Sequence, residues 1–437
     1  MKTILILYEN NGAGHRRSAK ILASMLAGRQ DCRAIAIAGS EFFSDPGVEL
    51  INRMWIFLVR KNMITIADWL MNFHLRAWIL PLIEIAQLAS YHAKLDELSP
   101  DAVVCTADGY GKTLGLYAQE RSIPLFMVNT EFSMFADLAN PFATHICYFP
   151  ETINAVRSYR FDEAYFSLKL DRHSSALHKL TYIARVYEQH LRAGGARSIY
   201  RNIDRVHEEH NQARCVAVGP LVEPVYYEPK DKLGVRRRLG IDPDKPCALL
   251  ISGSIGGDYL LEITDLLLAG WQDPLTLLAV SGQDERTRSL LQARAPHSAT
   301  LEVRALGFVD NMDELYAAAD VVIARPSASV LLEAMMRRVP ILIPQRATAN
   351  DRGGAELLKK HALGEVYRDS SDLVPALRKV LAQHQRYVDA IHRFLSPYAT
   401  QYSELQASLV DILLREGALY RRANTPGSPD ESPSPQR

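Results

Sequence analysis

The stretch TILILYENNGAGHRRSAK, residues 3–20, joins an apolar run to a glycine-bearing turn and then to a helical pattern. Its first six residues are typical of a strand buried on both faces of a parallel sheet. Gly12 and Gly14 permit a tight turn, and the start of the helix beyond them favours negative charge. His15 therefore lies beyond the carboxyl end of a strand, where ligands bind in open parallel sheets. Arg17 stands where a dinucleotide-binding fingerprint would have its third glycine, so the turn is not that motif.

The same succession of an apolar run and a helical pattern repeats along the chain and forms two series. The first series continues with AIAIAG (34–39), DAVVCTA (101–107), PLFMVNT (124–130) and THICYF (144–149). The second series consists of CVAVG (215–219), CALLIS (247–252), LTLLAVS (275–281), LEVRALG (301–307), DVVIA (320–324) and PILIP (340–344). Two such series predict two doubly wound α/β domains, which we place at residues 1–222 and 223–423.

Three segments depart from this alternation. Residues 49–91 are rich in Leu, Ile, Met and Phe, and they also contain Trp55, Trp69, Trp78, Arg53, Arg60, Lys61 and Arg76. Residues 157–214 have a polar, helical pattern with many Arg and His residues and form an insertion in the N-terminal domain. Residues 424–437 contain too few apolar side chains to offset the entropy of ordering, so this tail is expected to be disordered.

The composition excludes several classes of protein. With 50 basic and 50 acidic residues among 437, the formal net charge is zero, so nucleic acid is not an expected partner. The five cysteines are widely spaced, which indicates reduced thiols in a cytosolic protein and no zinc site. The N-terminus lacks the pattern of a signal peptide, and no uncharged apolar run reaches the ~18 residues that a membrane-spanning helix needs.

Two of the turns after predicted strands have the composition of ligand sites. A histidine titrates close to neutral pH, so His15 suits a general base, and the alternative is a histidine that only packs near a helix start. Ser254, Gly256 and Gly257 follow the run at 247–252 in a turn that would present backbone N–H groups to a phosphate. The alternative for this turn is a plain connection between strand and helix. It lacks the Gly-Lys-Ser/Thr of a Walker loop, which argues against ATP chemistry.

The last two runs of the second series are followed by polar residues at helix starts. Ser327 and Ser329 open a helix, and Glu333 stands one turn further, where its carboxylate could accept hydrogen bonds from two ribose hydroxyl groups. Asn350 and Asp351 precede another helix and could hydrogen-bond the hydroxyl groups of a sugar. The alternatives are that Glu333 complements a helix dipole and that Asn350 or Asp351 caps a helix.

In this order the motifs resemble those of the GT-B glycosyltransferases of family 28, above all the monogalactosyldiacylglycerol synthases and the bacterial diacylglycerol glucosyltransferases. The matching stretches are GAGHRRSA (12–19), PDAVVCTADG (100–109), IPLFMVNTEF (123–132), VSGQDERTRSLL (280–291), GFVDNMDELYAAADVVIARP (307–326) and LLEAMMRRVPILIP (331–344). The block at 307–344 is the most specific. The family's usual Gly-Gly-x-Thr reads Ser327-Ala328-Ser329 here, and the insertion at 157–214 is not typical of the family.

The resemblance implies a UDP-sugar donor bound mainly by the C-terminal domain. It implies uracil against Phe308 and Val309, ribose on Glu333, pyrophosphate on the Ser254–Gly257 loop, and sugar hydroxyl groups on Asn350 and Asp351. His15 would take the proton of the acceptor hydroxyl or bind near the leaving phosphate. Asp108 and Glu131 follow neighbouring strands and are either rival bases or residues that orient His15. Members of the family invert the anomeric centre without a catalytic metal, so neither a metal nor another cofactor is expected.

The resemblance also suggests a role for residues 49–91. A tryptophan-rich apolar segment with interleaved Arg and Lys suits helices that lie on an anionic membrane, whereas the alternative is packing in a core or a dimer face. We therefore expect transfer of a hexose to a lipid such as diacylglycerol at the cytoplasmic face of the cell membrane. Three other interpretations remain: a soluble UDP-sugar glycosyltransferase acting on a small metabolite, a UDP-sugar 2-epimerase, and a non-catalytic UDP-sugar-binding or membrane-scaffold protein.

Overall fold

The computed structural model describes residues 1–10, 13–44, 46–161, 175–253, 257–294 and 300–416. The predictions for Gly12, Ser254, Gly256 and the tail at 424–437 lie outside the described residues.

The N-terminal domain is built on a six-stranded parallel sheet. Its strands are β1 (Lys2–Tyr8), β2 (Cys32–Ala38), β3 (Ala102–Cys105), β4 (Leu125–Val128), β6 (Ala143–Cys147) and β8 (Arg214–Ala217). They lie in the spatial order β2-β1-β3-β4-β6-β8. A separate antiparallel pair consists of β5 (Met134–Phe135) and β7 (Tyr200–Arg201). The run CVAVG, which we assigned to the second series, is in fact the last strand here, because β8 pairs in parallel with β6.

The C-terminal domain contains a second six-stranded parallel sheet. Its strands are β9 (Cys247–Ile251), β10 (Leu275–Val280), β11 (Leu301–Leu306), β12 (Val321–Ala324), β13 (Ile341–Pro344) and β14 (Gly364–Tyr367). They lie in the order β11-β10-β9-β12-β13-β14. We did not predict β14, because it is a short edge strand whose Glu365 interrupts the apolar pattern. The side chains of β9 and β10 are all buried, which explains their continuous apolar sequences.

Helices cover the faces of both sheets. Those of the N-terminal part are α1 (Ala13–Leu26), α2 (Gly39–Phe43), α3 (Pro46–Arg60), α4 (Ile64–Trp69), α5 (Leu80–Leu98), α6 (Gly111–Arg121), α7 (Pro150–Arg157), α8 (Ala176–Arg192) and α9 (Ala196–Ile199). Those of the C-terminal part are α10 (Lys232–Arg238), α11 (Asp258–Gly270), α12 (Glu285–Arg294), α13 (Met312–Ala318), α14 (Ala328–Met336), α15 (Ala349–His361), α16 (Leu373–Ala382), α17 (His384–Leu395) and α18 (Tyr402–Asp411). A π-helical stretch, Leu70–Ile79, joins α4 to α5.

Helices α3, α4 and α5, with the π-helical stretch, form a helical layer between β2 and β3 that we call the α3–α5 segment. It has a small apolar core of its own, formed by Leu58, Ala67, Met71 and Leu75. Its outer side carries exposed apolar residues at helical spacing on α3, namely Leu50, Met54 and Phe57, which are 60%, 39% and 57% exposed. Among the described residues, no helix combines the length and the apolar character needed to cross a membrane.

The described residues of the insertion at 157–214 include α8, α9 and β7, and the insertion ends where β8 of the N-terminal sheet begins. Helix α8 packs on the α3–α5 segment through Ile183, Val186 and Tyr187, and the ring of Tyr187 lies 4.8 Å from that of Trp78. The insertion therefore packs against the α3–α5 segment through α8.

The chain passes between the two domains twice. After β8 it enters the C-terminal domain, and after α17 it returns, so that α18 lies against the N-terminal domain, where Gln406 donates to the Met25 carbonyl at 3.0 Å. The two passages touch at Gly219 and Tyr398. Gly219 has φ +80°, and a Cβ there would lie 2.8 Å from Tyr398 Cβ. The predicted domain boundary between residues 222 and 223 stays a prediction. Helix α18, which lies within the range we predicted for the C-terminal domain, packs against the N-terminal domain.

One contact between the domains depends on a carboxyl group with a raised pKa. Glu356 on α15 accepts hydrogen bonds from the Tyr200 hydroxyl at 2.6 Å and from the Ile203 N–H at 3.2 Å. Burial raises the pKa of Glu356 to about 7. Folding therefore favours the protonated form of Glu356. As a result, the free energy of unfolding declines as the pH rises from about 4.5 through 7, because ionisation of Glu356 costs more in the folded than in the unfolded protein.

Replacing Glu356 by glutamine is expected to stabilise the protein at pH 8 and to leave its stability nearly unchanged at pH 5. Glutamine keeps an acceptor oxygen for Tyr200 and Ile203 but cannot ionise. We expect a gain of about 1–3 kcal/mol at pH 8, in proportion to the pKa shift. Urea unfolding of both proteins at the two pH values measures it. An equal difference at pH 5 and pH 8 would contradict the assignment.

Candidate active site

His15 lies in the first turn of α1, where the chain leaves β1, and it is buried. Its Nδ1 lies 2.6 Å from the Thr106 carbonyl oxygen and 2.8 Å from the Thr130 hydroxyl. Because a carbonyl oxygen only accepts hydrogen bonds, Nδ1 carries the proton, and Nε2 is left as an acceptor. This is the tautomer that a general base requires.

Asp108 follows β3 and faces His15, with 3.9 Å between its Oδ2 and Nε2 of His15. The same oxygen accepts from Arg76 at 3.0 Å and from Asn350 of the C-terminal domain at 3.2 Å. Burial acts to raise the pKa of Asp108, but the electrostatic interactions with His15 and Arg76 and these hydrogen bonds outweigh it and lower the pKa. Asp108 is therefore ionised at neutral pH and a weak proton acceptor.

Glu131 follows β4 and faces the C-terminal domain. Burial raises its pKa well above the usual range, and the nearby carboxylates of Asp351 and Asp108 add to the effect. The N–H of Ala328, at the start of α14, donates to Glu131. Burial also raises the pKa of Asp351, although Arg325 opposes the shift. Burial therefore favours the protonated form of Glu131, so its carboxylate takes up a proton more readily than an exposed one, and its part as a rival base stays a prediction.

The residues predicted for the donor lie at the carboxyl ends of the second sheet. Glu333 is buried in α14, and it accepts a hydrogen bond from Arg17 of the N-terminal domain. In this structure, Arg17 is therefore the hydrogen-bond partner of the Glu333 carboxylate, which we predicted would bind the ribose. Phe308 is 66% exposed, whereas Val309 packs against the core. Gly257 has φ +103°, and a Cβ there would lie 2.4 Å from the Arg60 carbonyl oxygen, so the end of α3 lies directly against Gly257.

A cavity of about 160 Å³ lies beside His15, Asp108 and Glu131, whereas Gly257, Phe308, Val309 and Glu333 are not among its described lining residues. Its lining includes residues of both domains, namely Glu9, Gly14, His15, Asp108, Glu131, Arg325, Ser327, Ser329, Asn350 and Asp351. The α3–α5 segment contributes the apolar lining residues Ile51, Trp55, Val59, Leu75, Leu80 and Ile83, together with the polar Asn52, Asn72, Arg76 and Glu84. The cavity thus combines charged and hydrogen-bonding groups with an apolar surface. Among the described residues, no group of three or more His, Cys, Asp or Glu side chains is arranged to hold a metal.

Besides Glu84 of α5, three charged residues that line the cavity were missed by the sequence analysis. Glu9 comes directly after β1 and accepts from the Ser40 N–H at 3.0 Å and from Asn52 of α3 at 2.9 Å. Arg325 comes directly after β12, is buried, and donates to the Ser252 carbonyl at 3.0 Å. Glu9 and Arg325 both directly follow a strand. The rule that ligands bind beyond the carboxyl ends of parallel strands, which we applied to His15, would therefore also have predicted them. The third is Arg76, which no strand precedes.

The α3–α5 residues predicted to face a membrane have different environments. Trp69 is 61% exposed. Trp55 lines the cavity, and Trp78 packs against α8, so neither ring lies free on the outer surface.

The basic residues predicted to attract anionic lipid are also mostly engaged within the protein. Arg76 is buried between Asp108 and Asp137, which corrects its prediction as a surface cation. Arg60 and Lys61 lie 3.7 and 3.6 Å from Asp284 and Asp258 of the C-terminal domain. Arg53 is exposed and pairs with Glu49.

Comparison with known proteins agrees with this architecture. Residues 249–383 match the family model described as glycosyl transferases group 1. A processive diacylglycerol beta-glucosyltransferase of Bacillus licheniformis is 26% identical over 204 residues, which cover 46% of this chain and 51% of that protein. A probable monogalactosyldiacylglycerol synthase of Glycine max is 26% identical over 163 residues, covering 35% of this chain and 28% of that protein. The chain thus matches about half or less of the length of these relatives.

Solved structures show the same fold over nearly the whole chain. UGT2 of Phytolacca americana, in complex with UDP-2-fluoro-glucose and pterostilbene, aligns with a TM-score of 0.56 at 14% identity, covering 96% of this chain and all of that one. The prediction of a GT-B fold with two doubly wound Rossmann-like domains is confirmed. In sequence and in fold the chain is similar to the GT-B glycosyltransferases, and among them to proteins named for the glycosylation of diacylglycerol.

Proposed function

We propose that the protein is an inverting glycosyltransferase that moves a hexose from a UDP-sugar to a lipid acceptor such as diacylglycerol. The observation that carries this proposal is the mixed polar and apolar lining of the cavity. A lipid acceptor needs polar groups for its hydroxyl group and an apolar surface for its acyl chains, and the lining contains both kinds of residue. The relatives named for diacylglycerol support the same acceptor class.

In the proposed mechanism, Nε2 of His15 takes the proton of the acceptor hydroxyl group. The acceptor oxygen forms a bond to the anomeric carbon while the bond from that carbon to the diphosphate breaks, so UDP leaves from the opposite face and the configuration inverts. Arg325 and the N–H groups at the start of α14 lie where they could stabilise the charge of the leaving diphosphate. No step requires a metal, and the expectation that no cofactor is needed stays a prediction.

A panel of donors tests the reaction. Purified protein is incubated with UDP-glucose or UDP-galactose, each with and without vesicles that contain diacylglycerol. We expect glycolipid and UDP in equal amounts when both substrates are present. Conversion of the UDP-sugar without an acceptor would favour the 2-epimerase. Transfer to small phenols or alcohols but not to diacylglycerol would favour an enzyme of small metabolites, and UDP-sugar binding without turnover would favour a non-catalytic protein.

Replacing Glu333 by alanine is expected to weaken UDP binding by about 10–100-fold, because hydrogen bonds to a charged group contribute about 1.5–3 kcal/mol. Titration calorimetry of the full chain with UDP measures this effect. The matched control is Glu302→Ala, since Glu302 lies at the opposite end of β11 from the proposed donor site and pairs with Arg304 and Lys245. Equal UDP affinity in the Glu333 variant and the wild type would contradict the role in ribose binding.

We further propose that the protein binds the cytoplasmic face of the membrane peripherally through the outer side of the α3–α5 segment. Leu50, Met54 and Phe57 form an exposed apolar row on α3, and the apolar lining residues of the cavity belong to the same segment. Such a row can insert among lipid headgroups. This attachment would bring the apolar lining of the cavity close to the bilayer from which the acceptor is drawn.

A further inference from the structure

Arg76 is a buried cation among the polar residues that line the cavity, with 6% of its side chain exposed. Its Nη2 donates to Asp108 at 3.0 Å and its Nη1 donates to Asp137 at 2.9 Å. Its guanidinium carbon also lies 4.2 Å from the centre of the Phe135 ring. A planar guanidinium holds two carboxylates in fixed directions, whereas the three donors of an ammonium group rotate on a flexible stem and fix no such geometry.

Arg76 lies in the π-helical stretch Leu70–Ile79. A π-helix has a wider turn than an α-helix, and such stretches are frequent at functional sites. Arg76 lines the cavity from the α3–α5 segment, while its neighbours Phe73, Leu75 and Ala77 are buried apolar residues.

The surroundings of Asp108 explain why a cation is needed there. Glu9 and Glu131 face the His15 and Asp108 pair from the ends of β1 and β4, and Asp137 lies beyond Arg76. Within this acidic group, a carboxylate without Arg76 would be driven towards protonation or away from His15. The contact from Asn350 is neutral and does not offset this repulsion.

We propose that Arg76 is a positioning residue for transfer: its guanidinium holds the Asp108 carboxylate beside Nε2 of His15, where that charge stabilises the imidazolium formed when His15 takes the acceptor proton. The inference rests on the proposed function, in which His15 is the base. By this proposal, the α3–α5 segment contributes to catalysis as well as to the proposed membrane contact.

A double-mutant cycle tests whether Arg76 acts through Asp108. With UDP-glucose or UDP-galactose and diacylglycerol vesicles, we expect Arg76→Met and Asp108→Asn each to lower kcat about 100-fold at unchanged KM for the donor. The double variant should be no worse than about threefold below either single variant, because one interaction is removed. Losses that multiply to about 10⁴-fold would overturn the proposal. The matched control is Arg236→Met, which removes another buried arginine, paired with Asp320 at 2.5 Å, and should keep kcat.

The outcome also separates this proposal from the proposed function. If His15→Ala and Asp108→Asn keep wild-type kcat, the assignment of the base fails and the proposal fails with it. If those two variants are impaired but Arg76→Met is not, the positioning role alone is wrong. Should Arg76→Met not fold, Arg76→Lys is used in its place. Lysine keeps the positive charge but lacks the planar arrangement of guanidinium donors, and we expect a kcat about tenfold below that of the wild type. A wild-type kcat in Arg76→Lys would then overturn the proposal.

A readout without substrate uses the His15 ring itself. In protein labelled with carbon-13 at histidine Cε1, the chemical shift of the His15 resonance at one fixed pH is compared with and without Asp108→Asn. We expect this substitution to move the resonance, because it removes the carboxylate charge beside Nε2. In the Arg76→Met background the same substitution should move it by less than about a third of that. Equal shifts in both backgrounds would overturn the proposal.

Discussion

Replacing His15 by alanine is expected to lower the rate of hexose transfer by about 10²–10⁴-fold, the usual contribution of a general base. Alanine cannot accept the proton of the acceptor hydroxyl group. UDP affinity should change little, because the hydrogen bonds of His15 go to Thr106 and Thr130 of the N-terminal domain. Initial rates with diacylglycerol vesicles and calorimetry with UDP measure the two quantities.

The matched control is His92→Ala. His92 also belongs to the N-terminal domain and also contacts a backbone carbonyl, that of Thr113 at 3.2 Å, but it does not line the cavity. Near-normal turnover of the His15 variant together with a collapse in Glu131→Ala or Asp108→Ala would give the role of base to one of those carboxylates.

Replacing Leu50, Met54 and Phe57 together by serine is expected to release the folded protein from lipid vesicles. Each side chain is about half exposed, so its insertion would contribute about 1 kcal/mol, and the three together about a hundredfold in membrane affinity. Flotation with vesicles of phosphatidylglycerol and phosphatidylcholine measures the bound fraction. Activity towards diacylglycerol should fall in parallel, while UDP binding persists.

The matched control carries serine at Leu177, Leu180 and Leu191, three exposed leucines of α8. These substitutions remove a similar apolar area from a different surface, and flotation should persist. Because Arg76 is buried and Arg60 and Lys61 lie near C-terminal carboxylates, we expect salt to weaken binding only slightly. Equal flotation of the α3 variant, or none by the wild type, would favour an acceptor that is not a membrane lipid.

The polar lining of the cavity was largely predictable from the sequence. His15, Asp108 and Glu131 are distant in sequence, but each follows a strand of one parallel sheet, and the carboxyl ends of such strands meet at one edge. The same reasoning placed Asn350 and Asp351 across the cleft. Apolar runs located most strands because both faces of each sheet are covered.

The sequence could not reveal what depends on contacts between distant elements. Arg76 was predicted to be a surface cation because it lies in an apolar, tryptophan-rich segment. Its carboxylate partners, Asp108 and Asp137, are distant in sequence, so the sequence gives no sign of these contacts. The pairing of Arg17 with Glu333 joins two domains. The strand β8 follows an insertion, so its sequence adjoins the second series although it pairs with the first sheet.

The contact of Gly219 with Tyr398 has a mechanical consequence. Because the chain crosses between the domains at two points that touch, we expect the two crossings to act as a single pivot about which the domains swing. The hydrogen bonds of Asn350 with Asp108 and of Gly353 with Ser133 bridge the two domains elsewhere. We therefore expect one swing to break both of them and to open the mouth of the cleft for product exchange, while the pivot keeps the alignment to which the domains return.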